Sequence, residues 1–303
     1  MSTELELKFT LPKHALAQLT AMLPQLGQQL RQDEAKLLNA YFDTPQRWFR
    51  LHDMGLRTRF KRGRYEQTIK LAGTSHGALQ MRPEYNLPCS SVVPELQQFP
   101  TDIWPAGTDT AALQQQLTEL FRTDFYRRSW QLQRGSSLIE LVYDEGKVIA
   151  GDKEEVIAEL ELELLSGPAD TLFTLARQII AALPVQTGFF SKAARGYLLS
   201  AGKTPELPAT ENGQVAELLR ALQQAEACYV HQPSAAALAS AQQQMQRLAT
   251  LLPLDSPAHA VAGQLASALA QQPVFADSHY NLLLLELTEQ LFVTAHGDHN
   301  VTA

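Results

Sequence analysis

The sequence lacks the features that mark several classes of protein. Only Cys89 and Cys228 among its 303 residues are cysteines, too few and too far apart for a disulfide framework or a thiolate metal site. Any metal must therefore be held by oxygen ligands. No apolar run approaches the ~20 residues that span a bilayer, and no basic segment followed by an apolar stretch marks a signal peptide. We therefore predict a cytoplasmic protein with no membrane partner.

Basic residues are nearly absent from the last third of the chain. Only Arg220 and Arg247 of the 25 Lys and Arg residues follow Lys203, whereas nine of the 32 acidic residues do. The net charge of −7 therefore falls entirely on this segment. The change in composition predicts a domain boundary, with a first domain at 1–201, a linker at 202–212 and a second domain at 213–303.

The first domain has the pattern of many short strands. Alternating or β-rich segments lie at 3–10, 34–43, 54–62, 65–72, 78–88, 122–134, 136–150 and 155–165, and helical stretches at 12–23, 110–120 and 168–183. Four segments with helical spacing, rich in Ala, Leu and Gln, follow at 213–231, 234–252, 256–271 and 278–295. Consecutive antiparallel strands favour a barrel or a sandwich. We predict an α+β fold: an antiparallel β-barrel with flanking helices, followed by a small all-α module.

Charged residues share one face in several of the predicted strands. In the N-terminal segment ELELKF, Glu4, Glu6 and Lys8 share a face, and in AELELEL the residues Glu159, Glu161 and Glu163 do so. For a single strand, an ordinary solvent-facing side is the simpler interpretation. Rows of like charge repel one another, however, so a barrel with these faces inward would set carboxylates opposite cations.

Such a charged interior has a definite chemical meaning. Clustered carboxylates select hard divalent cations such as Mg²⁺ or Mn²⁺, and Arg and Lys donors suit phosphate oxygens. The pattern therefore predicts binding of a metal-bound polyphosphate.

The order of the charged residues resembles the CYTH superfamily, also called triphosphate tunnel metalloenzymes. The Glu-x-Glu-x-Lys strand of that family is matched by Glu4, Glu6 and Lys8. Further matches in the order of the family are Arg57, Arg59, Lys70, Arg82, Glu84, Arg127, Asp144, Glu159, Glu161, Lys192 and Arg195. With its helical segment, the chain is similar to bacterial inorganic triphosphatases in which a CYTH domain is fused to a CHAD domain.

The helical segment departs from the CHAD pattern, because a CHAD domain is longer and basic. Phosphate binding depends on cationic donors, and this segment has almost none. We expect a partial, CHAD-like module without affinity for polyphosphate, which either packs against the barrel or mediates self-association.

The resemblance implies a barrel that forms a tunnel, and it implies a role for each matching residue. The resemblance implies that Mg²⁺ or Mn²⁺ is bound by Glu4, Glu6, Asp144, Glu159 and Glu161. It implies that the substrate is bound by Lys8, Arg57, Arg59, Lys70, Arg82, Arg127, Lys192 and Arg195. The catalytic set is Glu4, Glu6, Lys8, Lys70, Arg82 and Glu84.

The implied reaction is metal-dependent hydrolysis of inorganic triphosphate to diphosphate and phosphate, with no nucleic-acid partner. Two alternatives stay open. One is hydrolysis or cyclisation of an organic triphosphate, such as thiamine triphosphate or ATP. The other is a non-catalytic module that binds polyphosphate.

Overall fold

The computed structural model describes residues 2–209 and 213–297 of the chain. The strands in this part of the chain are β1 (Ser2–Thr10), β2 (Gln28–Asp43), β3 (Gly55–Lys61), β4 (Arg64–Lys70), β5 (Thr74–His76), β6 (Leu79–Cys89), β7 (Thr118–Arg134), β8 (Ser137–Ala150), β9 (Lys153–Ser166) and β10 (Gln186–Thr187). The helices are α1 (Leu16–Leu26), α2 (Trp48–Leu51), α3 (Thr110–Gln116), α4 (Asp170–Ala182), α5 (Lys192–Ala201), α6 (Val215–His231), α7 (Ala235–Leu251), α8 (Pro257–Leu269) and α9 (Ser278–His296).

Eight of the strands close into an antiparallel barrel. Their order around the ring is β1-β9-β8-β7-β2-β3-β4-β6, and β6 pairs with β1 to complete it. The two short strands extend the sheet, β10 beside β1 and β5 beside β6. The α+β fold predicted from the sequence is therefore confirmed.

The main hydrophobic core lies outside the barrel, between its wall and the flanking helices. Leu5, Leu7 and Phe9 of β1 are at most 2% exposed. They pack in one cluster with Leu19 of α1 and Phe173 of α4. Burial of each such side chain contributes about 1.5–3 kcal/mol. Because side chains alternate along a strand, the charged residues of β1 face the barrel interior.

Helix α5 is held closely against the barrel. Ser191 caps its first turn by accepting a hydrogen bond from the Ala194 N–H at 3.1 Å, and Gly202 ends it with a φ of 64°. A Cβ at Gly196 would lie 2.0 Å from a ring carbon of Phe121 on β7, so the helix approaches at a distance that only glycine allows. The Tyr197 hydroxyl donates to the buried Asp43 at 2.7 Å.

The helices α6–α9 form a module, and α9 joins it to the barrel flank. Phe292 of α9 packs on Phe173 of α4 with ring centroids 5.8 Å apart. Arg177 of α4 forms an ion pair with Glu289 of α9. The module thus packs against the barrel, one of the two roles expected for it, and self-association stays a prediction.

The element boundaries differ from the predicted ones where pairing is long-range. β2 begins at Gln28 rather than 34 and β7 at Thr118 rather than 122, because these strands pair with each other along their whole length. The predicted helix at 110–120 therefore ends at Gln116. The predicted linker begins with the turn at Gly202 that ends α5, and residues 203–209 form neither helix nor strand. Residues 210–212 lie outside the described residues.

None of the helices in the described ranges combines the length and the hydropathy needed to cross a membrane.

Candidate active site

The barrel encloses a cavity of ≈310 Å³, called the tunnel below, whose lining is dominated by charge. Its basic residues are Lys8, Arg57, Arg59, Lys70, Arg82, Arg127 and Lys192. Its carboxylates are Glu4, Glu6, Glu84, Glu140, Glu161 and Glu163. Seven cations therefore share this space with six carboxylates, a density of charge that a site for a neutral molecule does not need.

Three glutamates form an acidic wall, defined here as Glu6, Glu140 and Glu163. Glu163 on β9 pairs in register with Glu6 on β1 and with Glu140 on β8, so the three stand in one row across adjacent strands. Among the described residues, none of the three carboxylates has a hydrogen bond or ion pair. Burial, and to a smaller extent repulsion from Glu4 and Glu161, raises the pKa of Glu6 to about 7. Burial and the charges of Glu4 and Glu6 raise the pKa of Glu163 to about 8. The charges of Lys70 and Lys8 act on this wall only from a distance, too weakly to offset burial and repulsion.

Arg57 and Arg59 of β3 form a basic wall on the opposite side of the ring, where β3 lies across from β9. Burial, together with the nearby charges of Arg57 and Arg127, lowers the pKa of Arg59 to about 10. The Arg59 Nε donates to Asn39 at 3.0 Å, whereas the buried Arg57 Nε has no hydrogen-bond partner among the described residues. Each arginine has one carboxylate at 3.9 Å, Glu84 for Arg57 and Glu66 for Arg59, and the Arg57 Nε remains as a donor to offer an anion.

Lys70 of β4 links two carboxylates between these walls. Its Nζ contacts Glu4 of β1 and lies 2.7 Å from Oε2 of Glu84 on β6. Although burial alone would raise it, the pKa of Glu84 is held at about 2 by Lys70 and Arg57. Asn86 also donates to Glu84 at 2.7 Å. Glu84 therefore stays ionised and fixes the position of the lysine.

A second ion-pair network closes the tunnel beside α5. Arg127 donates twice to Asp144, each at 2.7 Å, and once to Glu161 at 2.9 Å. The Lys192 Nζ lies 2.8 Å from both of these carboxylates and 2.5 Å from Glu159. Although burial opposes the effect, these two cations hold the pKa of Glu161 well below its usual range. Three carboxylates predicted to bind metal are thus already neutralised by basic side chains.

Eleven of the fourteen predicted site residues line the tunnel, and three do not. Asp144 and Glu159 are at most 2% exposed and lie behind the lining, bound to Lys192. Arg195 lies farther out, where it binds Glu159 at 2.9 Å and Glu155 at 2.6 Å.

Lys8 and Arg82 also line the tunnel, and their surroundings differ. Lys8 is 2% exposed, and burial lowers its pKa despite nearby glutamates. Arg82 is held by two backbone carbonyls, those of Leu71 at 2.8 Å and Asp53 at 2.9 Å. Both cations line the tunnel, and Arg82 is anchored there by its hydrogen bonds to the backbone.

The predicted metal set omitted Glu140 and Glu163. Both lie on strand faces that the alternation places inside the barrel. The register that sets them side by side depends on the β8–β9 pairing. In the sequence, the signal for this register is Gly151, which marks a hairpin turn between two strands of equal length.

The acidic wall has the oxygen donors that a hard divalent cation prefers. As the side chains stand, no three carboxylate, imidazole or thiolate groups in residues 2–209 and 213–297 converge closely enough to hold an ion. The chemistry nevertheless fits best at Glu6, Glu140 and Glu163, with Glu4 beside them, because only the first three lack a cationic partner. Side-chain rotation is needed to bring their oxygens together.

The chain matches known proteins over its barrel. A family model described as the CYTH domain matches residues 2–197. The inorganic triphosphatase of Haemophilus influenzae is 35% identical over 194 residues, which are 59% of this chain and 53% of that protein. The chain therefore spans about half the length of this curated relative. The match leaves out α6–α9, so the CHAD-like character of these helices stays a prediction.

Two solved structures are also similar. HpAC1 from Hippeastrum, described as having a dominant triphosphatase activity, is 15% identical with a TM-score of 0.45, covering 66% of this chain and 96% of that one. The capping enzyme triphosphatase of Mimivirus is 12% identical with a TM-score of 0.37, covering 59% of this chain and 89% of that one.

Proposed function

The chain belongs to the CYTH domain family, and we propose that it hydrolyses inorganic triphosphate to diphosphate and phosphate in the tunnel, with Mg²⁺ or Mn²⁺ as cofactor. The observation that carries this proposal is the opposition of two charged walls. Arg57 and Arg59, whose nearest carboxylates lie 3.9 Å away, stand on one side, and Glu6, Glu140 and Glu163, which have no ion pair among the described residues, stand on the other. A polyphosphate with a divalent cation would supply anionic oxygens to the first wall and positive charge to the second.

The basic residues would bind and orient the phosphate chain. Arg57 has an unpartnered Nε, and Arg59 presents a guanidinium that Asn39 holds in place. Lys8, Lys70 and Arg82 add donors from β1, β4 and β6. Phosphoryl transfer requires mainly positioning and neutralisation of charge, which such an array provides without covalent chemistry.

The acidic wall, with Glu4, would hold the divalent cation. When bound, such an ion neutralises phosphate charge and makes water more acidic. Asp144, Glu159 and Glu161, the other ligands that the resemblance implies, would first have to exchange Lys192 and Arg127 for the ion. We therefore favour Glu6, Glu140 and Glu163 as ligands.

The lining supports a bare triphosphate over an organic one. Its apolar residues are few: Tyr41, Phe125, Val142 and Ala193. The Tyr41 ring already stacks on Phe121 at 4.5 Å, and cations lie over the Phe125 ring, Arg127 at 5.8 Å and Lys192 at 5.4 Å. Tyr41 is only 6% exposed and Phe125 only 2%, so neither ring presents an open face on which a nucleobase or a thiazole could stack. The likeness to an inorganic triphosphatase agrees with this choice.

The test is phosphate release from tripolyphosphate, ATP and thiamine triphosphate, each with Mg²⁺, Mn²⁺ or EDTA. We expect metal-dependent release that is fastest with tripolyphosphate. Arg57→Ala should reduce kcat/KM for it at least tenfold, since hydrogen bonds to charged groups contribute about 1.5–3 kcal/mol. Arg64→Ala, which removes an exposed arginine outside the tunnel, is the matched control and should leave kcat/KM unchanged.

Two results would contradict the proposal. Absence of metal-dependent release from all three substrates, while tripolyphosphate still binds, would identify a non-catalytic polyphosphate-binding module. Faster hydrolysis of ATP or thiamine triphosphate than of tripolyphosphate would replace the inorganic substrate by an organic one.

A further inference from the structure

A second cavity, of ≈340 Å³, lies between the barrel and the helical module. Much of its wall is apolar, formed by side chains that include Phe189, Phe190, Leu198, Leu199 and Val230. The two phenylalanine rings meet edge to face with centroids 4.9 Å apart. A volume just above 300 Å³ with such walls is in the range of small-molecule sites.

One buried carboxylate in this wall has an unused oxygen. Glu226 of α6 is 2% exposed and lines the cavity. Its Oε2 accepts a hydrogen bond from the Tyr280 hydroxyl at 3.0 Å, whereas its Oε1 is buried and has no hydrogen-bond partner among the described residues. Burial raises the pKa of Glu226 to about 8, although Tyr280 and the nearby Thr187 N–H oppose the rise. A buried acceptor without a partner is unusual and calls for an explanation.

The other carboxylates of the cavity already have partners. Arg195 binds both Glu155, at 2.6 Å, and Glu159, at 2.9 Å. No basic side chain within the described residues contacts Glu226. Within the described residues, Oε1 of Glu226 is thus the one buried side-chain atom of this lining that lacks a hydrogen-bond partner, and a donor from a ligand would supply one.

We propose that this cavity binds a small organic amine, with its apolar body among Phe189, Phe190 and Leu198 and its ammonium group donating to Oε1 of Glu226. The ammonium supplies both the donor and the positive charge that the carboxylate lacks. The apolar body of the amine covers the apolar walls, which a small hydrated ion would leave in contact with water.

This site is separate from the tunnel. The linings of the two cavities have no residue in common over the described parts of the chain. The two linings meet along the chain at Phe190 and Ser191, and across the ion pair between Lys192, which lines the tunnel, and Glu159, which lines the second cavity. Binding of an amine can therefore be measured without triphosphate or metal, and its outcome is independent of the hydrolysis proposed above.

The test is calorimetric titration of the full chain with 2-phenylethylammonium at about pH 8, where the amine is charged. We expect saturable binding by the unaltered protein. The 3-phenylpropanoate anion has a similar apolar body and the opposite charge, and it should bind at least tenfold more weakly. This comparison needs no substitution, so it does not depend on the folding of any variant.

Variants then locate the site. Glu226→Gln keeps the size of the side chain and should weaken binding of the amine at least tenfold, and Ala227→Phe should fill the cavity and abolish binding. Glu286→Gln, which changes an exposed carboxylate of α9, is the matched control and should bind as the unaltered protein does. Unfolding curves would identify any variant that is not folded. Lack of saturable binding, equal binding of amine and anion, or full binding by folded Glu226→Gln would overturn the proposal.

Discussion

Glu161 and Glu163 lie two residues apart on the same face of β9, yet their carboxyl groups are in opposite electrostatic states. Burial would raise the pKa of both. Lys192 and Arg127 reverse this at Glu161 and hold its pKa well below the usual range. Glu163 has no such partner, and burial with the charges of Glu4 and Glu6 raises its pKa to about 8.

The difference shows how the fold divides the charges of one barrel. Near α5 the protein neutralises its own carboxylates with its own cations, a structural use of charge. At the acidic wall of Glu6, Glu140 and Glu163 it leaves them uncompensated, which costs stability and leaves them for a ligand. Perturbed groups of this second kind are more typical of functional sites.

Lys192→Met should have the largest effect, because it removes the cation shared by Asp144, Glu159 and Glu161. Loss of one partner from a buried ion pair costs about 3–5 kcal/mol, since the remaining charges stay buried. The free energy of unfolding in urea should fall by this amount.

The matched control for this change is Lys147→Met, whose pairing with Glu154 is half exposed. Surface ion pairs contribute about 0–1 kcal/mol, so its stability should hardly change. A loss at Lys192 no larger than the loss at Lys147 would show that the network beside α5 is not structural.

The pH dependence of stability should reveal the uncompensated wall. In metal-free protein, Glu163 keeps its proton up to about pH 8 when folded but loses it near pH 4.5 when unfolded. The folded state then binds more protons, so the free energy of unfolding should fall as pH rises between these values, by about 1–3 kcal/mol.

Glu163→Gln cannot titrate, so this variant should show a shallower fall, with the remainder due to Glu6 and Glu226, whose pKa values are also raised. The measurement is a series of urea unfolding curves in EDTA from about pH 5 to about pH 8. An identical fall in the variant and the unaltered protein would mean that Glu163 is not the group responsible.

A divalent cation should stabilise the protein through the same wall, with a smaller effect. A ligand at ten times its Kd adds about 1.4 kcal/mol to the free energy of unfolding. We expect Mn²⁺ to raise the Tm of the unaltered protein and of Glu145→Gln, whose carboxylate lies outside the tunnel. The rise should be reduced in Glu163→Gln, and an equal rise in both variants would place the ion elsewhere.

The strand faces could be predicted from the sequence because alternation is a local property. In β1 the leucines are buried against α1 and α4, and Glu4, Glu6 and Lys8 line the tunnel, as predicted. The order of the charged residues along the sequence, through its resemblance to the CYTH superfamily, also indicated most of the residues that line the tunnel.

The partner of each carboxylate could not be predicted, because it depends on where distant elements pack. Lys192 reaches Asp144 only because α5 lies against β7–β9, and its close approach depends on the contact between Gly196 and Phe121. Likewise, the row from Glu163 to Glu140 depends on strand register, which composition does not encode.

The role of the acidic wall in catalysis is tested most directly by phosphate release from tripolyphosphate with saturating Mn²⁺, measured in parallel for Glu163→Gln and Glu145→Gln. We expect at least a tenfold loss in Glu163→Gln, in line with the loss of a group that binds or orients a metal, and a normal rate in Glu145→Gln. A folded Glu163→Gln protein that turns over at the rate of the unaltered protein would contradict the assignment of the acidic wall to catalysis.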